Sequence, residues 1–209
     1  MENILVAGAH GTTGKKIINL LKESQYFNPI AMVRDPAQIP FFEAKQVDTV
    51  LADLEKDISA AFNQPIDKVV FAAGSGGKKV EAVDQEGAKK LINASEKNNV
   101  KKFIMLSSMG AGNPEAAEQL KDYLKAKHNA DMHLKNSQLN FAIVRPGALT
   151  NGPLKNSIEL KKQLYKQGSI SRNDVAQTLV SCLHDDVANH ATFEIIEGNT
   201  PISKALNTL

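Results

Sequence analysis

The chain has 209 residues, 42% of them hydrophobic, enough for one domain with a sizeable core. A net charge of +2 from 25 basic and 23 acidic residues leaves no nucleic-acid footprint, and a 5% aromatic share without tryptophan argues against a base- or sugar-stacking surface. The single cysteine excludes an internal disulfide framework, and no apolar run approaches the ~18 residues of a membrane span. No basic leader precedes the first apolar run, so a cytoplasmic protein is expected.

In chain order, Asn3-Ile4-Leu5-Val6-Ala7 reads as a buried strand that runs straight into Gly8-Ala9-His10-Gly11-Thr12-Thr13-Gly14. A helix-like segment, Lys15 to Lys22, follows. Strand, glycine turn and helix in that order suit a dinucleotide site. Gly8 permits the tight turn, Gly11 lets backbone amides approach a pyrophosphate, and Gly14 lets the helix pack on the strand. The helix N-terminus adds unpaired N–H groups and partial positive charge. The spacing is GxxGxxG rather than the GxGxxG of ordinary dehydrogenases.

Further apolar runs are Ile30–Val33, Thr49–Ala52, Val69–Ala73, Phe103–Leu106, Phe141–Val144 and Phe193–Ile196. Most are continuously apolar, as in parallel strands covered on both faces. Helical spacing links Ile17, Leu20 and Leu21. It links Val80, Val83, Leu91 and Ile92 over Lys79 to Asn98, and Leu120, Tyr123, Leu124 and Lys127 further on. Strands alternating with helices predict an α/β fold with a doubly wound parallel sheet, one domain over residues 1–209. The basic stretch Lys155 to Lys166 reads as a solvated helix face. A loop-rich region around 148–170 is expected to cover a substrate. Ser171 caps the next helix, on which Cys182 recurs with Val175, Leu179 and Leu183 as a buried thiol rather than a nucleophile.

In such a sheet the ligand lies beyond the carboxyl ends of the strands. The second run ends at Arg34-Asp35, where a NAD-selective site would place an acid. Arg34 suits a 2′-phosphate, and Asp35 is the competing ribose ligand. Asp53, with Leu54, closes the third run and suits either adenine contact or a helix cap. Ala72-Ala73-Gly74 after the fourth run let backbone lie against a cofactor. The fifth run ends Ser107-Ser108, and either hydroxyl suits a substrate oxygen. Tyr123 and Lys127, one turn apart, share a helix face behind it. A proton donor with positive charge beside it is what carbonyl reduction requires next to a hydride donor. Pro146 and Gly147 end the sixth run and turn the chain beside the nicotinamide.

Taken together, these motifs resemble the atypical short-chain dehydrogenase/reductase superfamily. The nearest likeness is to the small NAD(P)-binding proteins grouped with NmrA-like and biliverdin reductase B-like members. It rests on the glycine loop, Val33-Arg34-Asp35-Pro36, Asp53-Leu54, Ala72-Ala73-Gly74, Val83-Asp84 with Gly87, Ser107-Ser108, Tyr123-x-x-x-Lys127 and Val144-Arg145-Pro146-Gly147. The resemblance implies a seven-stranded parallel sheet of order 3-2-1-4-5-6-7. It implies NADP(H), favoured over NAD(H), held by Gly8, His10, Gly11, Thr12, Thr13, Gly14, Arg34, Asp53, Leu54, Ala72, Ala73, Gly74, Ser107, Lys127, Pro146 and Gly147. Tyr123 would donate the proton, Lys127 would bind the nicotinamide ribose, and Ser108 would complete the catalytic set, although the superfamily serine often falls nearer Met109. No metal is implied. A small-molecule substrate and a monomer or homodimer are expected, with no nucleic-acid or membrane partner. Two readings follow: an NADPH-dependent reductase of a small carbonyl, quinone or flavin-like acceptor, or a non-catalytic NADP(H) sensor of NmrA type.

Overall fold

The computed structural model describes residues Met1–Leu209. The parallel strands are β1 (Glu2–Ala7), β2 (Phe27–Val33), β3 (Asp48–Leu51), β4 (Lys68–Phe71), β5 (Lys102–Leu106), β6 (Asn140–Pro146) and, late in the chain, β10 (Ala191–Glu197). Between them lie α1 (Thr12–Lys22), α2 (Ile39–Glu43), α3 (Ala88–Lys97), α4 (Lys121–Lys135) and α5 (Arg172–Ser181). The parallel part of the sheet runs β3-β2-β1-β4-β5-β6-β10, the expected order with β10 as the seventh strand. The order reverses between β1 and β4, and a ligand crevice opens at such a switch point.

The order departs from expectation at one edge. β8 (Ser157–Lys161) pairs antiparallel with β10, and β11 (Thr200–Pro201) pairs antiparallel with β8, giving nine strands in all. The segment expected to be a loop also holds β7 (Ala148–Thr150) and β9 (Ser169–Ser171), a small parallel pair. The basic stretch from Lys155 therefore holds a strand near the sheet edge rather than a helix face. Along β8 Ile158 is buried between half-buried Ser157 and Glu159, and Lys161 at its end is exposed, as in a partly covered antiparallel strand. Charged side chains on such an edge also discourage pairing with other chains.

Alternation along β1 sends Ile4 and Val6 to one side of the sheet and Leu5 and Ala7 to the other. The first pair joins a core with Ile17 and Leu21 of α1 and Val175 and Leu179 of α5. The second joins Leu91 and Ile92 of α3 and Leu134 of α4. Both faces are thus sealed, and the strands read as continuously apolar for that reason. The long helix expected from Lys79 opens instead with π-helical turns over Val80–Gly87 before α3 begins. The cap of α5 is as expected: Ser171 accepts from the Asp174 amide and donates to its carboxylate. No helix is long and apolar enough to cross a membrane.

At the amino ends of the strands two lysines are buried. Lys68 Nζ donates to the Leu183 carbonyl at 2.8 Å and pairs with Glu2 and Asp185. Lys102 Nζ donates to the carbonyls of His184 and Val187 and to Asn189 Oδ1. They satisfy the carbonyls that leave the end of α5, where cations are favoured. Burial lowers the affinity of Lys102 for its proton and pushes the neighbouring Cys182 thiol up to about 12. Cys182 is fully buried, so it should resist an aromatic disulfide reagent in the native protein and react once per chain in denaturant. Stoichiometric reaction of the native protein would contradict this packing.

Candidate active site

The site begins at the turn between β1 and α1. Gly8 has φ +80°, and a Cβ there would stand 2.6 Å from the Ala73 backbone. A Cβ on Gly14 would stand 2.1 Å from the Gly8 carbonyl oxygen. At Gly11 only that same oxygen lies within reach, at 3.1 Å, so its other side is open. Gly8 and Gly14 therefore bring three backbones together, and Gly11 leaves the approach free. No side chain caps α1 and no acid occupies its first turn. The N–H groups there stay available, and their partial positive charge is not neutralised.

Beyond this turn lies a cleft of about 360 Å³ across the carboxyl ends of β1 to β4. Gly8, His10 and Gly11, Arg34, Asp53 and Leu54, and Ala72 to Gly74 all line it. The structure thus gathers nine of the expected cofactor residues in one place. Thr12, Thr13 and Gly14 stand behind them on the first turn of α1.

The two candidates at the end of β2 differ in what engages them. The Asp35 carboxylate accepts from the Ala37 amide at 2.9 Å and caps a short 3₁₀ turn, Pro36–Gln38. Arg34 is exposed at the cleft, and its guanidinium enters no ion pair. Asp53 caps no helix: it accepts from the Glu55 amide at 3.0 Å in a turn, and it lines the cleft. His10 packs edge-on to Phe41 at 5.5 Å. Burial, and then Lys15, hold its ring below the usual imidazole range.

A second group of residues lies at the ends of β5 and β6, outside the walls of the cleft. Tyr123, Lys127 and Asp131 recur every fourth residue along one face of α4. Lys127 is buried. Its Nζ donates to the Leu106 carbonyl at 3.3 Å, lies 5.7 Å from the Tyr123 ring centre, and faces Asp84 Oδ1 at 3.4 Å. That last contact is an ion pair without hydrogen-bond alignment, and Asp84 Oδ1 makes no hydrogen bond. Tyr123 is half-buried.

The serines divide. Ser107 donates to buried Asp131 Oδ2 at 2.9 Å, so its hydroxyl is turned into the protein rather than toward a substrate. Ser108 is half-buried, and its hydroxyl donates to the neighbouring Met109 carbonyl at 3.2 Å. Asp131 Oδ2 also accepts from Arg145 Nε at 2.9 Å and forms an ion pair with Nη2 at 2.9 Å. Burial pushes the Asp131 carboxyl up, and Arg145 and Ser107 oppose that shift. Pro146 continues the β5–β6 ladder by accepting from the Met109 amide. Gly147 is required elsewhere: a Cβ on it would stand 2.2 Å from the Gly168 carbonyl.

Sequence reasoning assigned no role to Asp84, Asp131 or Arg145. Asp131 had a signal, since it continues the four-residue spacing of Tyr123 and Lys127. Asp84 and Arg145 stood within the motifs of the resemblance, but nothing local marked their pairing with Lys127 and Asp131.

A sequence model of a family described as NAD(P)H-binding matches residues 8–186. A Bacillus subtilis (strain 168) protein named as an uncharacterized sugar epimerase is 38% identical over 214 residues, covering 99% of each chain. A solved structure from Bacillus halodurans, provisionally named an NAD-dependent epimerase/dehydratase, superposes with a TM-score of 0.94 at 38% identity over 100% of both chains. An oxidoreductase from Lactococcus lactis superposes with a TM-score of 0.90 at 31% identity, covering 99% of this chain and 96% of its own.

Proposed function

We propose, from the premise that this chain belongs to the NAD(P)H-binding family, that it is an NADPH-dependent reductase of a small carbonyl, quinone or flavin-like acceptor. The observation that carries the reading is the buried Lys127 ammonium set one helical turn behind Tyr123, at the strand end adjoining the cofactor cleft.

The residues present fit a dinucleotide. The Gly8–Gly14 approach leaves Gly11 open, and the uncapped turn of α1 offers N–H donors for a pyrophosphate. Arg34 is the free cation where a ribose 2′-phosphate belongs, and the carboxylate that competes with it is engaged by its own backbone. Asp53 and Leu54 would border the adenine. A bound reduced nicotinamide supplies the hydride.

The chain's own residues supply the rest. Lys127 holds positive charge beside the Tyr123 ring, which favours release of the phenolic proton to a developing alkoxide. Ser108 and Tyr123 would hold the acceptor oxygen, since Ser107 is engaged by Asp131. A planar quinone or flavin depends less on a protein acid than an aldehyde does. The diverted Ser107 also favours a second reading, a cofactor-binding sensor without turnover.

Tyr123→Phe should lower kcat for carbonyl acceptors by ~10²- to 10⁴-fold and affect quinones and flavins less. Full turnover by this variant with every accepted substrate would refute the acid role. Net consumption of NADPH separates reduction from the epimerisation named for two of the relatives. NADPH binding without turnover of any acceptor would favour the sensor. Arg34→Ala should weaken NADPH binding about 10-fold or more, the loss of a charge-assisted bond, and leave NADH binding nearly unchanged. Equal loss for both cofactors, read by direct titration, would remove the 2′-phosphate role.

A further inference from the structure

We propose that Asp84 is a positioning residue whose single carboxylate couples the cofactor-facing loop after β4 to Lys127. This inference rests on the role given to Lys127 above. Asp84 sits in the π-helical turns Val80–Gly87 and is only 1% exposed. Its Oδ2 accepts from the Ser75 amide at 3.0 Å and from the Ser75 hydroxyl at 2.7 Å. Its Oδ1 faces Lys127 Nζ at 3.4 Å. A Cβ on Gly74 would stand 3.3 Å from that same Oδ1, so the loop backbone lies directly against the carboxylate.

Two consequences follow from charge and geometry. First, Asp84 is the one carboxylate paired with Lys127, both partners are buried, and breaking a buried pair from one side leaves an uncompensated charge. Second, Ser75 lines the cleft while Lys127 stands outside it, and one rigid carboxylate touches both. A shift of the loop therefore moves the countercharge of Lys127. Lys127 makes a single hydrogen bond, to Leu106, whereas an ammonium carries three donors. Asp84 holds it by charge while leaving donors for the cofactor. The π-helical turns suit this task, because the widened backbone is a common device at functional sites.

A double-mutant cycle separates coupling from a merely structural role. Asp84→Asn preserves the shape and removes the charge. It should lower kcat about 10-fold or more while the acceptor KM changes less than about twofold, within the range of coupling between touching residues. Lys127→Met alone should be severely impaired, and adding Asp84→Asn should cost less than about twofold more. Ser75→Ala should raise the NADPH Kd about threefold by loosening the loop. Multiplicative losses in the cycle, or wild-type kcat in Asp84→Asn, would overturn the proposal. If Asp84→Asn proves too unstable to assay, melting temperature decides. The Asp84→Asn/Lys127→Met protein, with no charge left unpaired, should melt higher than Asp84→Asn, and an equal or lower value would overturn the coupling. If the wild type turns over no acceptor, the reductase reading fails, but the same cycle read as NADPH Kd still tests Asp84: non-multiplicative losses support it, and multiplicative ones overturn it.

Discussion

The contact between Gly14 and the Gly8 carbonyl is the constraint on which the rest of this molecule depends. A methyl group at Gly14 would lie 2.1 Å from that oxygen, so α1 cannot sit where it does with any other residue there. The same closeness at Gly8 brings the Ala73 backbone against the turn and sets the third wall of the cleft. Once these three backbones meet, the uncapped first turn of α1 opens onto the crevice between β1 and β4. The positions of Arg34, Asp53 and Gly74 follow, because each ends a strand in register with β1 or its neighbours.

The reacting end is organised differently, by buried charge. Asp84 with Lys127, and Asp131 with Arg145, are two ion pairs held against the side of the sheet on which α4 packs. Buried pairs contribute little net stability, since desolvation offsets most of their attraction. Their value is directional. Arg145 and Ser107 fix Asp131, which ties the ends of β5 and β6 to α4. Lys127 and Ser75 share Asp84, which ties α4 to the loop after β4. The proposed cofactor half thus rests on close backbone packing, and the proposed chemical half on buried charges held by their partners.

Legibility of the sequence divides along the same line. The glycine turn was readable because a backbone clash constrains residue type at fixed local spacing, and the parallel sheet followed from the apolar runs, while its strand order came from the family resemblance. Arg34 was readable as a strand-end cation, but its release from Asp35 depended on a cap two residues further on. The strand β8 was not readable, since its short alternation lies within a lysine-rich segment that also suits a helix surface. Lys68 and Lys102 look like surface residues until the carbonyls beyond α5, more than eighty residues on, reach them. Ser107 and Ser108 are equivalent in sequence. Only Asp131, 24 residues later, turns the first of them inward.

The central claim is that the cleft and the Tyr123–Lys127 pair serve one hydride transfer. It is tested most directly with NADPH deuterated at nicotinamide C4, incubated with the protein and carbonyl, quinone or flavin acceptors. Loss of the reduced-nicotinamide absorbance would be followed together with the mass of the product. The account predicts that cofactor oxidation and product formation match, with deuterium delivered from C4 to carbon when the acceptor is a carbonyl. Deuterated cofactor that binds and is recovered fully reduced after exposure to every acceptor class would contradict it.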